Sequence, residues 1–213
     1  PSSPDHVYQE IYLNTGIGWQ LTSDWQLPDY FYFAYLENEY HSQSVLTEMI
    51  DLNGDLMADI IQYADDCMKD FVRGVYLNNG SRWELNDEYS LNNLDDFENN
   101  NIARIVKYAD VNNDGLVDIL RSDRDHYNMY DPDQYIDVKE VYLNNGQTGW
   151  DLNPDWEIPL IFKTDYINNH WGTYDLQARL ADINGDGLPD LIQSIEIDRQ
   201  GVEKHVFLGA PPF

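Results

Sequence analysis

The chain reads as all-β: a β-propeller-like array of about three units of ~65 residues, each a four-stranded antiparallel blade with an acidic loop between strands. Three observations predict this. A strand-and-turn motif recurs as Ile-Tyr-Leu-Asn-Thr-Gly at 11–16 and Val-Tyr-Leu-Asn-Asn-Gly at 75–80 and 141–146, with a shorter Val-Phe-Leu-Gly at 206–209. A nine-residue acidic loop occurs at 51–59, 110–118 and 182–190. The stretches before the loops (45–50, 102–109, 178–181) are short and partly β-branched, with no apolar stripe of helical period.

The elements follow in order. An opening hairpin spans about 7–27: Ile-Tyr-Leu is a strand, Asn-Thr-Gly is expected to supply the positive-φ turn, and Trp19 starts the return. Units are then expected at about 45–85, 102–152 and 178–208, within one domain covering 1–213. In each unit one strand precedes the acidic loop and one follows it, marked by Ile60-Ile61, Ile119-Leu120 and Leu191-Ile192. The Val-Tyr-Leu hairpin, with Trp83 or Trp150 on its return strand, completes the four. The motif's aromatic falls at Tyr12, Tyr76, Tyr142 and Phe207, 64, 66 and 65 residues apart, whereas the loops are spaced by 59 and 72. Variable connections between strands explain two such clocks. The aromatic stripe is expected chiefly to pack blade against blade. The segment 124–137 is polar, aromatic and turn-rich, and reads either as an ordinary exposed loop or as a recognition loop that projects from a blade edge.

Each acidic loop places oxygen side chains at its positions 1, 3, 5 and 9: Asp51, Asn53, Asp55 and Asp59; Asp110, Asn112, Asp114 and Asp118; Asp182, Asn184, Asp186 and Asp190. A backbone carbonyl is expected at position 7, from Met57, Leu116 and Leu188. Ca²⁺ takes about six to eight hard oxygen ligands, which such a loop can supply, so two to three ions are expected. An EF-hand is excluded. It needs a bidentate Glu at position 12 between helices, where this chain has Gln62, Arg121 and Gln193. The loop instead joins two antiparallel strands.

The loop, with its Asp-Leu-Ile-type following strand, resembles the FG-GAP/VCBS repeats of integrin-α-like propellers. The Tyr-Leu-Asn-Asn-Gly…Trp hairpin is similar to those of toxin-complex and Rhs-type propeller shells. The resemblance covers nearly the whole chain and implies Ca²⁺ between the first two strands of a blade, bound by the twelve side chains above. Leu56 departs from the pattern, standing where the other loops have Gly115 and Gly187. A positive φ there costs a residue with a β-carbon on the order of 1 kcal/mol, so the first site is expected to be the weakest.

Composition narrows the function classes. Twelve basic against 39 acidic residues give a net charge of −27, which argues against nucleic acid and anionic membranes. Three Ca²⁺ would leave about −21 of it, relieving only part of the self-repulsion. Sixteen Tyr and six Trp argue against disorder. The single Cys67 rules out an intrachain disulfide and is expected to act as a small apolar residue. No run of residues approaches the length of a membrane span. The histidines (6, 41, 126, 170 and 205) form no spaced ligand pair and sit in no nucleophile motif, so no enzyme is expected.

The expectation is therefore a non-enzymatic, extracellular or cell-surface calcium-binding module for structure or adhesion. The compartment follows from where calcium is abundant. The alternative is a glycan- or protein-binding, lectin-like propeller fragment of a larger surface or toxin protein. Strand counting gives an opening hairpin, two complete blades and a last unit without its Trp strand, fewer than the four to eight blades that close a propeller. The expected partners are thus other copies of the chain, assembling head-to-tail into a ring or filament, or the remainder of a longer polypeptide. Asn79-Gly-Ser81 fits a glycosylation sequon in letter, but a hairpin turn explains the same residues.

Overall fold

The computed structural model describes residues 10–28, 44–65, 72–89, 106–126, 134–167, 170–196 and 202–209. They form an all-β molecule of small, mainly antiparallel sheets. The first is the hairpin of β1 (Ile11–Asn14) and β2 (Trp19–Thr22). The second is a meander of β3 (Ser44–Ile50), β4 (Asp59–Asp65), β5 (Val72–Asn78) and β6 (Trp83–Leu85), paired in chain order. The third repeats that meander with β7 (Val106–Ala109), β8 (Asp118–His126), β9 (Tyr135–Asn144) and β10 (Trp150–Asn153), then adds β11 (Lys163–Ile167) and β12 (His170–Asp175). The fourth holds β13 (Arg179–Ala181), β14 (Asp190–Glu196) and β15 (Val202–Phe207). Among the described residues no helix is long and apolar enough to cross a membrane.

Two parts depart from the sequence expectation. The connection after β10 contains the β11–β12 hairpin. Strand β11 joins β8 in parallel, at Lys163↔Asp123 and Thr164↔Arg124, beyond the stretch that β7 covers. The two ends of the expected loop 124–137 are strand: 124–126 continue β8 and 135–137 open β9. Arg124 faces Asp137 across the β8–β9 ladder and grips its carboxylate through both Nε (2.6 Å) and Nη2 (2.8 Å). Its guanidinium also lies 4.0 Å from the centre of the Tyr135 ring. A bidentate charged pair and a cation–π contact continue the ladder where the sequence shows little apolar alternation. Residues 127–133 lie outside the described residues, as does Cys67.

Alternation along the strands decides how the sheets stack. Neighbouring strand residues point to opposite faces, so Ile119 and Tyr142 of the third sheet face one way and Leu120 and Val141 the other. One core joins Leu52, Ile61 and Val75, of the second sheet and its acidic loop, to Val106, Ile119, Tyr142 and Trp150 of the third sheet. The other joins Val111, Leu120 and Val141 to Ala178 and Leu191 at the fourth sheet, with Ile158, Leu160 and Phe162 from the incoming segment. The third sheet is thus covered on both faces. Side chains partner the carbonyls of that incoming segment and of Leu176: Ser122 Oγ donates to Leu160 O (2.6 Å), and Gln193 Nε2 donates to Ile161 O (3.0 Å) and Leu176 O (3.1 Å).

Candidate metal centre

All three acidic loops join antiparallel strands: β3 to β4, β7 to β8, and β13 to β14. They also share one hydrogen-bond pattern. In the first, Asp51 Oδ1 accepts from the amides of Gly54 (2.8 Å) and Asp55 (3.1 Å), and Oδ2 accepts from Leu56 (2.7 Å). Asn53 Oδ1 accepts from the Asp55 amide (3.0 Å), and Asp55 Oδ1 from Met57 (2.8 Å). The third loop repeats this in full around Asp182, Asn184 and Asp186, and the second repeats the bonds from the position-5, -6 and -7 amides around Asp110, Asn112 and Asp114. In each, the position-3 amide nitrogen donates to the position-5 carboxylate, at 3.0, 2.8 and 2.8 Å. The structure therefore brings positions 1, 3 and 5 together on one curled backbone.

The curl needs left-handed residues at positions 4 and 6. Position 4 is Gly54, Asn113 and Gly185, with φ of 76°, 59° and 79°. Position 6 is Leu56, Gly115 and Gly187, at 69°, 89° and 86°. Leu56 thus adopts the conformation that penalises a β-carbon, and its side chain is 93 % exposed. Its amide still reaches Asp51, so the strain leaves the loop's hydrogen bonds intact.

Position 9 behaves differently. Asp59, Asp118 and Asp190 are all fully buried. Asp59 accepts from the amides of Leu52 (2.9 Å) and Asn78 (2.7 Å), Asp118 from Val111 (2.9 Å) and Asn144 (2.8 Å), and Asp190 from Ile183 (2.9 Å) and Gly209 (2.7 Å). Each carboxylate staples loop position 2 to the end of the third strand of its own unit or, at Gly209, to the residue two places past it. Burial pushes the Asp118 carboxyl up to about 6, against its two amide donors, with Asp114 and Asp110 adding repulsion. Asp59 is raised for the same reasons. Asp182, exposed and ringed by amides, is lowered, chiefly by the Gly187 N–H.

The hairpin Asn residues do more than turn the chain, and this was not foreseen. In the Asn-Asn-Gly turns only the glycines, Gly80 and Gly146, take positive φ. Asn78 and Asn144 instead accept from those glycine amides through their side chains, both at 2.9 Å. Asn144 also donates to the carbonyls of Val117 (3.2 Å) and of Leu52 in the neighbouring unit (2.9 Å), and accepts from Tyr89 Oη (2.7 Å). It ties two acidic loops together. Asn79 Oδ1 is held by the amides of Ser81 and Arg82 at 3.0 Å, in keeping with a turn role.

The return-strand tryptophans close the site from outside. Trp83 Nε1 donates to the position-8 carbonyl of Ala58 (2.8 Å), and Trp150 Nε1 to that of Val117 (2.9 Å). Six residues after each lies another aromatic, a spacing present in the sequence whose meaning needs the neighbouring sheet. Trp25, six after Trp19, meets Trp83 edge-on at 4.9 Å, and Tyr89, six after Trp83, meets Trp150 edge-on at 5.3 Å.

The loops also adjoin one another. A β-carbon on Gly54 would lie 3.0 Å from the Gly115 carbonyl oxygen, and one on Gly187 would lie 4.0 Å from Asn113 Oδ1. Among the described residues, no three His, Cys, Asp or Glu side chains stand as a preassembled metal set. The donor chemistry nonetheless suits a hard cation. Every donor is oxygen, and a carboxylate oxygen that accepts one N–H keeps a second lone pair. Comparison with known family models, curated proteins and solved structures returns no match.

Proposed function

We propose that the chain is a non-enzymatic, calcium-stabilised structural module of FG-GAP/VCBS type, its sheets arranged as propeller blades and working outside the cell or on its surface. The observation that supports it most is the threefold repetition of one loop conformation, down to individual amide-to-carboxylate bonds. Asp51, Asn53 and Asp55 with the Met57 carbonyl would hold one ion, and their counterparts in the other loops the rest. Asp59, Asp118 and Asp190 would contribute lone pairs left free by their amide donors. Bound calcium would supply positive charge to carboxylates that otherwise repel one another. The protein's own residues do the rest: amides orient the position-1 carboxylate, and the position-9 staple couples loop to sheet, so an occupied loop stiffens its unit.

Thermal melting tests this. Excess calcium is expected to raise the melting temperature and excess chelator to lower it. A melting curve indifferent to both refutes the reading.

A further inference from the structure

The first and second acidic loops are joined by hydrogen bonds that have no counterpart between the second and the third. Asn144 is buried, and its whole side chain serves the join. Its Nδ2 donates to Leu52 O of the first loop (2.9 Å) and to Val117 O of the second (3.2 Å). Its Oδ1 accepts from Tyr89 Oη (2.7 Å) and from the Gly146 amide (2.9 Å), which completes the two donors and two acceptors that an amide side chain offers. A continuous path results. Asp59 Oδ2 accepts from the Leu52 amide (2.9 Å), the Leu52 carbonyl accepts from Asn144 Nδ2, and the Asn144 backbone amide donates to Asp118 Oδ1 (2.8 Å). The position-9 carboxylates of two loops are thus linked through two residues, all of them buried. A buried polar group that loses its partner is costly, so displacing one end of the path disturbs the other.

The next junction is built without that link. Gly209 stands in the place of Asn144: its amide donates to Asp190 Oδ1 (2.7 Å) as that of Asn144 does to Asp118, but it has no side chain to reach the second loop. Nor is there room for one, since a β-carbon there would lie 3.0 Å from both Leu188 Cβ and the Pro189 carbonyl oxygen. The direct contacts between loops differ in the same sense. At both junctions position 4 of one loop meets position 6 of the next. At the first, a β-carbon on Gly54 would lie 3.0 Å from Gly115 O, so backbone abuts backbone. At the second, a β-carbon on Gly187 would meet only the end of the Asn113 side chain, at 4.0 Å.

We propose that the first and second acidic loops order as one conformational unit while the third orders by itself, so that a cation held in either of the first two strengthens binding in the other. The linked binding rests on the calcium reading above; the joint ordering does not. Linkage of binding free energies is reciprocal, so the two loops must help each other equally. A loop already ordered through its neighbour has less conformational freedom left to lose, which makes two sites cooperate without a change of fold. Such couplings commonly amount to about 5- to 150-fold in affinity, and one buried amide with one backbone approach places this one at the low end.

Two measurements on the full chain test this. Amide hydrogen exchange without calcium reads the ordering itself. Asn144→Ala is expected to speed exchange across 52–57 and 111–118 and to leave 183–188 unchanged. Tyr89→Phe, a milder cut at the same bridge, should move the same amides less. Calcium titration followed through the amide NMR signals of Gly54, Gly115 and Gly185 then reads each loop separately. Asp114→Ala is expected to weaken binding at the first loop about fivefold and to leave the third as it was. With Asn144→Ala already present, Asp114→Ala should no longer affect the first loop. Exchange that quickens in the second loop alone in both bridge variants overturns the proposal, as does a first loop whose calcium affinity ignores Asp114→Ala. An equal response of the third loop also overturns it, since that is general loosening. Three loops that bind independently leave the calcium reading standing. Three loops that bind nothing overturn that reading and the linked binding with it, and the exchange pattern still decides the joint ordering.

Discussion

The third sheet and the first hairpin use nearly the same words to opposite effect. Val-Tyr-Leu-Asn and Trp-Asp-Leu build β9 and β10, Ile-Tyr-Leu-Asn and Trp-Gln-Leu build β1 and β2, and both pairs zip in the same antiparallel manner. Yet Trp150 is buried between sheets, its indole N–H on Val117 O and its ring against Tyr89, while Trp19 is exposed. The strand does not bury its own aromatic; its unit's acidic loop and the neighbouring sheet do. Stability in such an array is a sum of unit terms and nearest-neighbour terms, and the neighbour terms dominate where faces are covered on both sides.

The widest separation between the two regions should come from their tryptophans. Trp150→Ala is expected to cost about 3–5 kcal/mol in urea unfolding, as a fully buried large side chain does. Trp19→Ala should change monomer stability by less than about 0.5 kcal/mol. Equal losses at the two sites would break the comparison.

The acidic loops sharpen it next. Asp118→Ala removes the acceptor for two buried amides, Val111 and Asn144, and should cost about 1–3 kcal/mol for each amide left unsatisfied, calcium or no calcium. Asp114→Ala, at an exposed position, should leave the calcium-free protein near its original stability while abolishing that loop's response to calcium. Melting both variants with and without chelator separates staple from ligand.

Smaller effects probe single contacts. Tyr89→Phe deletes the hydroxyl that meets Asn144 between the second and third units, and should cost about 1 kcal/mol, as a buried hydrogen bond does. Leu56→Gly relieves the left-handed strain in the first loop and should gain at most about 1 kcal/mol, with tighter calcium binding at that loop. The same exchange is unavailable to the other loops, which already carry Gly115 and Gly187 there.

Much of this was legible in the residues. Short apolar runs such as Ile60-Ile61 and Ile119-Leu120 marked the strands, and the spaced oxygens marked the loops between them. What stayed hidden depends on partners distant in sequence. The β11–β12 hairpin has a polar sequence and is placed by parallel pairing to β8, about 40 residues upstream, which no local pattern announces. The side-chain bonds of Asn144 reach Leu52, 92 residues away, so its letter suggested a turn and nothing more. Position 9 looked like one more ligand beside three others. Its burial and its second amide donor, from Asn78, Asn144 or Gly209, depend on chain 19 to 26 residues further on, which a nine-residue window cannot show.

The central claim is that three loops of one shape hold calcium. Calorimetric titration of the calcium-stripped chain tests it most directly. Two to three ions are expected to bind, with Asp114→Ala and Asp186→Ala each removing one and Asp55→Ala changing least, if the left-handed strain at Leu56 makes the first site the weakest. Absence of binding at millimolar calcium, or an unchanged number of ions in the Asp114→Ala and Asp186→Ala variants, would contradict the account.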